Sequence, residues 1–394
     1  MDSLDKWLLP EGVEELLPAE AHKLETLRRR LLDLYEGWGY ELVFTPLVEF
    51  LESLLVGPSQ DLDVHTCKIT DQLSGRMMGV RADMTPQVAR IDAHCLNRKG
   101  PVRLCYADTV MHTKPRGLLT SRLPFRVGAE FYGERSISCD VELVCLMLET
   151  LAVADVGNIQ IVLGHVGIYR SLVQAAGLGP LSEAKLHDAI QRKAYDEIDE
   201  VLSSVVKDRD LRSLLSALTR LSGDESILID AVQKFSDAPL GVKKKLEELT
   251  IISEAVKERN PDVTVCFDLC ELRGYDYHTG IVFAAYTPAY GRAIAKGGRY
   301  DSIGEVFGRS RPASGFDTDL KTLAKLSSSA FERKGVILAH ISNDPKLSEK
   351  ITDLRREGCV VVSCSDEELK DKEIMGELRV SDTLVFVSGE WVVS

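Results

Sequence analysis

The chain has 394 residues, 44% hydrophobic and 28% charged, with a formal net charge of −13. That length holds two or three domains with sizeable cores, the composition is ordinary for a globular protein, and no apolar run is long enough to span a bilayer. The acidic balance weighs mildly against nucleic acid, because binding to phosphate backbones relies on Lys and Arg that release counterions.

The opening, MDSLDKWLLPEGVEELLP, is acidic and lacks a basic stretch followed by an apolar one. No signal peptide is expected, and the expected compartment is the cytoplasm. The nine cysteines are scattered, with no CxxC pair. They are expected to be reduced thiols rather than disulfides or zinc ligands, and neither a metal nor a cofactor is expected.

Residues 19–37 carry Leu24, Leu27, Leu31, Leu32 and Leu34 on one helical stripe. GYELVFTPLVEF then reads as a strand stopped by Pro46. In DMTPQVARIDAHCL, Thr85 is placed to cap a helix whose first residue is Pro86. VRLCYADTVM, FRVGAEFYG and NIQIVLG read as strands, and Asp140 to Ala152 as a buried helix. The run from about 180 to 260 is helical and charged, with Pro239 as its main break, and reads as an insertion. Strand signals return at VTVCFDLC and at Ile281 to Ala285, and RSRPAS (309–314) reads as a loop. Beyond about 334 the pattern is strand (Val336–Ile341), helix (Lys346–Glu357), strand (Cys359–Ser363), helix, strand (Thr383–Val387), a small α/β module.

Taken singly, the chemical-looking residues have plain readings. Gly297-Gly298 marks a bulge or a close backbone approach; KGGRYDSIGEVFG lacks the ending of a phosphate-binding loop. Glu130 would be an outward strand residue, and Asp83 a cap. Together the odds change. RADMT, FRVGAE, RGYDYHTG and KGGRY lie on predicted strands or strand ends, and carry Asp83, Thr85, Glu130, Arg273, Tyr277, His278 and Arg299. Carboxylates suit an ammonium or an imidazole N–H. Arg273 suits a carboxylate, gripped by two parallel bonds. Tyr277 offers an aromatic wall and a hydroxyl. The set describes a pocket for a small zwitterion with a polar ring.

These segments, in this order, resemble the class II histidyl-tRNA synthetase catalytic domain, from about residue 8 to 325, with a helical insertion in the expected place. RGYDYHTG and GGRYD look like that family's two histidine-specific motifs, and RADMT occupies the place of its amino-acid-gripping loop. The departures are equally informative. Where the family's second motif has an Arg on the ATP α-phosphate and a Glu on the adenine, this chain has Met111 and Thr113. Where its third motif has the γ-phosphate Arg, this chain has Thr322, with Asp319 in the place of a Gly. Losing one well-placed donor to a charged transition state costs about a hundred- to a thousand-fold in rate, so the resemblance implies a domain that no longer forms an adenylate. Residues 335–394 carry seven Lys/Arg against twelve Asp/Glu, which suits RNA poorly.

WLLPEGVEELLP, YELVFTPLVEFLESLL, MTPQVARIDAH and RGYDYHTGIVFAAY make the whole chain similar to the ATP phosphoribosyltransferase regulatory subunits, paralogues of histidyl-tRNA synthetase. The resemblance implies an α+β fold: a six- or seven-stranded antiparallel class II synthetase-like sheet with flanking helices over 1–326, a helical insertion at about 180–260, and a small α/β domain over 327–394. It implies a non-catalytic subunit that activates the short catalytic chain in the first step of histidine biosynthesis and relays feedback inhibition by histidine. A homodimer core, built around the first helix and YELVFTPLVEF, would sit inside a hetero-octamer. Histidine would lie among Asp83, Thr85, Arg126, Glu130, Arg273, Tyr277 and His278. By analogy Asp83 and Thr85 would hold the α-amino group, and Glu130 with Tyr277 the imidazole. Arg126 stands where the family has a Gln. The loop around RGYDYHTG is the candidate switch. The alternatives are an active histidyl-tRNA synthetase and an amino-acid sensor for another partner.

Overall fold

The computed structural model describes residues 7–55, 60–115, 121–272, 274–275, 277–365 and 372–394. They form two compact units, within Met1–Ser329 and within Ala330–Ser394.

The larger unit is built on a nine-stranded sheet. Its order is Glu41–Leu42, Val102–Thr109, Phe125–Tyr132, Ala313–Asp319, Tyr290–Arg299, Ile281–Thr287, Gln160–His165, Thr264–Asp268 and Ser222–Gly223. The pairings from Val102–Thr109 through to Gln160–His165 are all antiparallel. The sheet is wider than the six or seven strands expected because two-residue strands are added at both edges. It is also not wholly antiparallel: Glu41–Leu42 runs parallel to Val102–Thr109, and Gln160–His165 parallel to Thr264–Asp268.

One face is covered by helices. Ile137–Val153 is apolar on almost every side and lies buried under the central strands, as a helix without a polar face must. The first helix, Pro18–Gly37, sinks Leu27, Leu31 and Tyr35 into the same layer, with Tyr35 edge-on to Phe316. Five helices, Pro180–Gln191, Tyr195–Val205, Arg209–Leu218, Ser226–Lys234 and Leu240–Arg259, make up the expected insertion, and Pro239 stands immediately before the last of them.

Two local expectations fail. The strand expected to run up to Pro46 is only two residues long, and a second strand follows the proline. Glu41–Leu42 joins the large sheet, while Val48–Phe50 joins a separate three-stranded sheet with Met77–Val80 and Cys67–Thr70. Between them, buried side chains take the backbone's bonds. Arg81 is 1% exposed, and its Nη1 donates to the Thr45 carbonyl at 2.7 Å while Nη2 pairs with Asp108 at 2.6 Å. Gln87 Nε2 donates to the Pro46 carbonyl at 2.8 Å. Nor does Thr85 cap the next helix, Thr85–Arg90, whose N-cap position is Met84. Its hydroxyl points across to another strand instead.

The smaller unit has strand order Val360–Cys364, Val336–His340, Val380–Val387, Glu390–Val393. The first two pairings are parallel and the last is antiparallel. Leu347, Ile351 and Leu354 of helix Pro345–Arg356 pack on Ile337, Ala339 and Val361. The final strand was not expected. Ser388 and Gly389 both take positive φ, 53° and 91°, as a two-residue hairpin turn requires.

The glycine pair at 297–298 sits inside a strand because the backbones crowd there. A Cβ on Gly297 would stand 2.3 Å from the Gly315 carbonyl oxygen and 2.6 Å from the Phe283 ring. Gly297→Ala is therefore expected to cost about 1–3 kcal/mol in urea unfolding. Gly291→Ala, whose Cβ would meet nothing within 4 Å, is expected to stay within about 0.5 kcal/mol of the parent.

Candidate functional site

On the face of the sheet away from the helices, alternation turns Arg126, Gly128 and Glu130 the same way as Gly315 and Asp317, Lys296 and Gly298, and Val282 and Ala284. Glycines at the centre leave a depression. A Cβ on Gly315 would lie 1.8 Å from Glu130 Oε2 and 2.4 Å from the Tyr300 hydroxyl, and one on Gly298 would lie 2.8 Å from His278 Nδ1. Those side chains occupy the space that larger residues would fill.

Asp83, Thr85, Arg126, Glu130, Tyr277 and His278 all line the resulting pocket of about 350 Å³. Arg273 lies outside the described residues. Arg299 is not in the pocket: alternation puts it on the helix side, where its Nη2 pairs with Asp140 at 2.8 Å and its Nη1 donates to the Glu134 carbonyl.

Glu130 is the centre. It is 1% exposed. Its Oε1 accepts from the Thr85 hydroxyl at 3.0 Å and from the Tyr106 hydroxyl at 3.3 Å. Its Oε2 has no partner, nor do the sealed Tyr277 and Tyr300 hydroxyls and His278 Nδ1. Buried polar atoms in folded proteins are nearly always paired, with protein or with water, so these atoms are the ones a molecule in the cavity could bond to. Tyr277 stacks tilted on Tyr300 at 5.0 Å and edge-on to His278 at 5.4 Å, giving the cavity an aromatic wall.

Burial pushes the Glu130 carboxyl well above its usual range, and the neighbouring Asp83 and Asp317 add to that shift against the hydrogen bond from Thr85. Burial lowers the His278 ring to about 4, so it is neutral near pH 7. Arg126 moves the other way. Burial opposes its charge, yet Asp317, Asp319 and Asp83 outweigh that and raise its pKa. Its Nη1 stands 3.3 Å from Asp317 Oδ2. The unpaired acceptor of Glu130 and a carboxylate-rich rim favour a ligand with N–H groups or positive charge.

Sequence reasoning missed Tyr300, Tyr106, Lys296, Gly315 and Asp317. Tyr300 could have been found by period-2 counting from Gly298, which leaves Arg299 on the opposite face. Tyr106 and Asp317 carry no local signal, because only strand register sets them beside Gly128.

Met111, Thr113 and Thr322 are not among the residues lining the pocket. The Met111 N–H donates to the Arg81 carbonyl at 2.9 Å. The Thr113 hydroxyl donates to the Val64 carbonyl at 2.8 Å. Thr322 donates to Asp319 Oδ2 at 2.9 Å, and Asp319 in turn caps helix Leu320–Leu326 through the Lys321 N–H. Among the described residues no group of His, Cys, Asp and Glu side chains is placed to hold a metal ion, and no helix is long and apolar enough to cross a membrane.

Residues 12–323 match the histidyl-tRNA synthetase family, and residues 334–394 match the ATP phosphoribosyltransferase subunit HisZ C-terminal domain. The ATP phosphoribosyltransferase regulatory subunit of Stutzerimonas stutzeri is 54% identical over 93% of this chain and 92% of its own length. That of Azotobacter vinelandii is 50% identical over 100% of this chain and 99% of its own. The chain belongs to the ATP phosphoribosyltransferase regulatory subunit family. A crystal structure from Bacillus halodurans, titled as such a regulatory subunit or histidyl-tRNA synthetase, superposes with a TM-score of 0.83 at 25% identity, over 97% of this chain and 99% of that one. The histidyl-tRNA synthetase of Nostoc sp. PCC 7120 shares the fold, with a TM-score of 0.80 at 18% identity, over 98% of this chain and 96% of that one. The class II synthetase-like fold expected from the sequence is thus the one observed.

A carboxyl whose pKa is raised by folding contributes stability that is fully present below its unfolded value and lost as pH rises. Glu130→Gln keeps acceptors for Thr85 and Tyr106 without the buried charge. Thermal unfolding of the unliganded chain should therefore show little gain in Tm for this variant near pH 4.5, and a gain that grows toward pH 8.

Proposed function

We propose that this regulatory subunit binds free histidine in the pocket around Glu130 and does no chemistry on it. The observation that carries the reading is the set of unpaired buried atoms, Glu130 Oε2, the Tyr277 and Tyr300 hydroxyls and His278 Nδ1, around one cavity. An imidazole supplies the complement: an N–H for the carboxylate, a ring nitrogen for a phenol O–H, and a flat face for the aromatic wall. Asp83 and Thr85 hold the α-amino group, Arg126 stays paired with Asp317 beside them, and Arg273 takes the carboxylate.

On this reading the chain activates a short-form ATP phosphoribosyltransferase catalytic subunit in the cytoplasm. Histidine in the pocket favours a less active state of the assembly, as any allosteric ligand must bind one global state better than another. A homodimer core sits within a hetero-octamer. Neither nucleic acid nor a membrane takes part, and the chain forms no histidyl adenylate. The hydrogen bonds of Thr113 and Thr322 support the last point: one holds a backbone carbonyl and the other the capping Asp319, where the synthetases have ATP-holding side chains.

The test is phosphoribosyl-ATP formation by the short catalytic chain, with and without this subunit, across a histidine titration. The expected result is a rise in rate on adding the subunit, then suppression by histidine. Glu130→Ala should preserve the rise and raise the half-inhibiting histidine concentration at least about tenfold, since a hydrogen bond to a charged group is worth about 1.5–3 kcal/mol. No change in rate at saturating subunit would overturn the regulatory reading. Histidine-dependent exchange of pyrophosphate into ATP would replace it with a synthetase.

A further inference from the structure

The segment that brings Tyr277 and His278 to the pocket also reaches the other way. Tyr275, two residues before Tyr277, does not line the cavity. Its ring enters the helices that precede and open the insertion. The Tyr275 hydroxyl donates to Glu183 Oε1 at 2.6 Å, and Arg170 Nη2 donates to the Tyr275 carbonyl at 2.5 Å. The Arg170 guanidinium lies 4.6 Å over the ring, Tyr169 meets it edge-on at 5.4 Å, and His187 lies at 5.3 Å. Helix Val166–Ala175 supplies Arg170 and Tyr169; helix Pro180–Gln191 supplies Glu183 and His187.

Backbone hydrogen bonds hold both ends of this contact close together. The Gly274 carbonyl accepts from the Tyr277 N–H at 2.9 Å and the His278 N–H at 2.8 Å, and the Tyr275 N–H donates to the Leu272 carbonyl at 2.9 Å. Gly274 has φ +70°, and a Cβ there would stand 3.0 Å from the His278 ring. With so little slack, a shift of Tyr277 and His278 onto a ligand must move the Tyr275 anchor as well.

We propose that Tyr275 carries the occupancy of the pocket into helices Val166–Ala175 and Pro180–Gln191, so that the helical insertion is the part of the chain that reports bound ligand. The proposal rests on the histidine reading of the pocket. It makes Tyr275 a positioning residue, outside the binding set, and it gives the insertion a role in the inhibitory signal.

Backbone hydrogen exchange of the whole chain, with and without saturating histidine, tests it. In the wild type, histidine should protect strand Phe125–Tyr132 and also change exchange in Pro180–Gln191. Tyr275→Ala should keep the protection of the strand and abolish the response of the helix. In the assembled complex it should raise the half-inhibiting histidine concentration about 5- to 150-fold, the span of a typical allosteric coupling, while leaving activation without histidine in place. Tyr275→Phe retains the ring against Arg170 and Tyr169 and loses only the bond to Glu183, so it should restore part of the helix response. Should the alanine variant fail to fold, as judged by exchange in Ile137–Val153, Tyr275→Phe and Glu183→Gln carry the test, each expected to show a reduced helix response. A protected strand with an unchanged helix in the wild type would overturn the relay and leave the pocket standing. An undiminished helix response in the variants would overturn it too. No protection anywhere would overturn the histidine reading, and the relay with it.

Discussion

One carboxylate sets the terms for the rest of the site. Glu130 is buried in the middle of the sheet with one oxygen bonded and the other bare. An ionised carboxylate without partners is costly to bury, so the surroundings must either neutralise it or await a partner for it. Burial and the neighbouring Asp83 and Asp317 favour its neutral, protonated form. The fold also leaves room above it. Gly298 and Gly315 lower the floor, and the aromatic wall of Tyr277 and Tyr300 covers the bare oxygen. On the proposed reading a donor-bearing ligand meets the bare oxygen in a pocket whose side chains are already in place, which lowers the cost of ordering on binding.

The third-motif region contrasts with the Glu130 region in how its polar groups are paired. Asp319 and Thr322 bond to each other, to the first turn of a helix and to the Phe125 N–H. Both carboxylate oxygens of Asp319 and the proton of Thr322 thus find partners within the chain. The Glu130 end of the same face is unsatisfied. Satisfaction at one end and want of partners at the other is the pattern expected of a domain that holds a ligand without activating it.

The sequence made the architecture legible wherever periodicity was clean. The apolar stripe of the first helix, the buried run at Ile137–Val153 and the alternation in FRVGAEFY all became the elements they suggest. It failed where buried polar side chains compete with the ladder, as at Thr45 and Pro46, whose carbonyls go to Arg81 and Gln87. Thr85 misled for a different reason: it is the first residue of the helix and not its N-cap, and its hydroxyl donates to a carboxylate 45 residues away. Site residues carried on motifs could be named, whereas Tyr106, Asp317 and the true direction of Arg299 depend on register and alternation across strands distant in sequence. Arg299 in particular read as a ligand for the pocket because a motif groups it with Tyr300, and one residue of pleat separates their faces.

The central claim is that the cavity around Glu130 holds histidine as an unreacted ligand. Calorimetric titration of histidine into the isolated chain tests it most directly. The account predicts saturable binding at one site per chain, severely weakened by Glu130→Ala. Absence of binding, or binding that Glu130→Ala leaves unchanged, would contradict it.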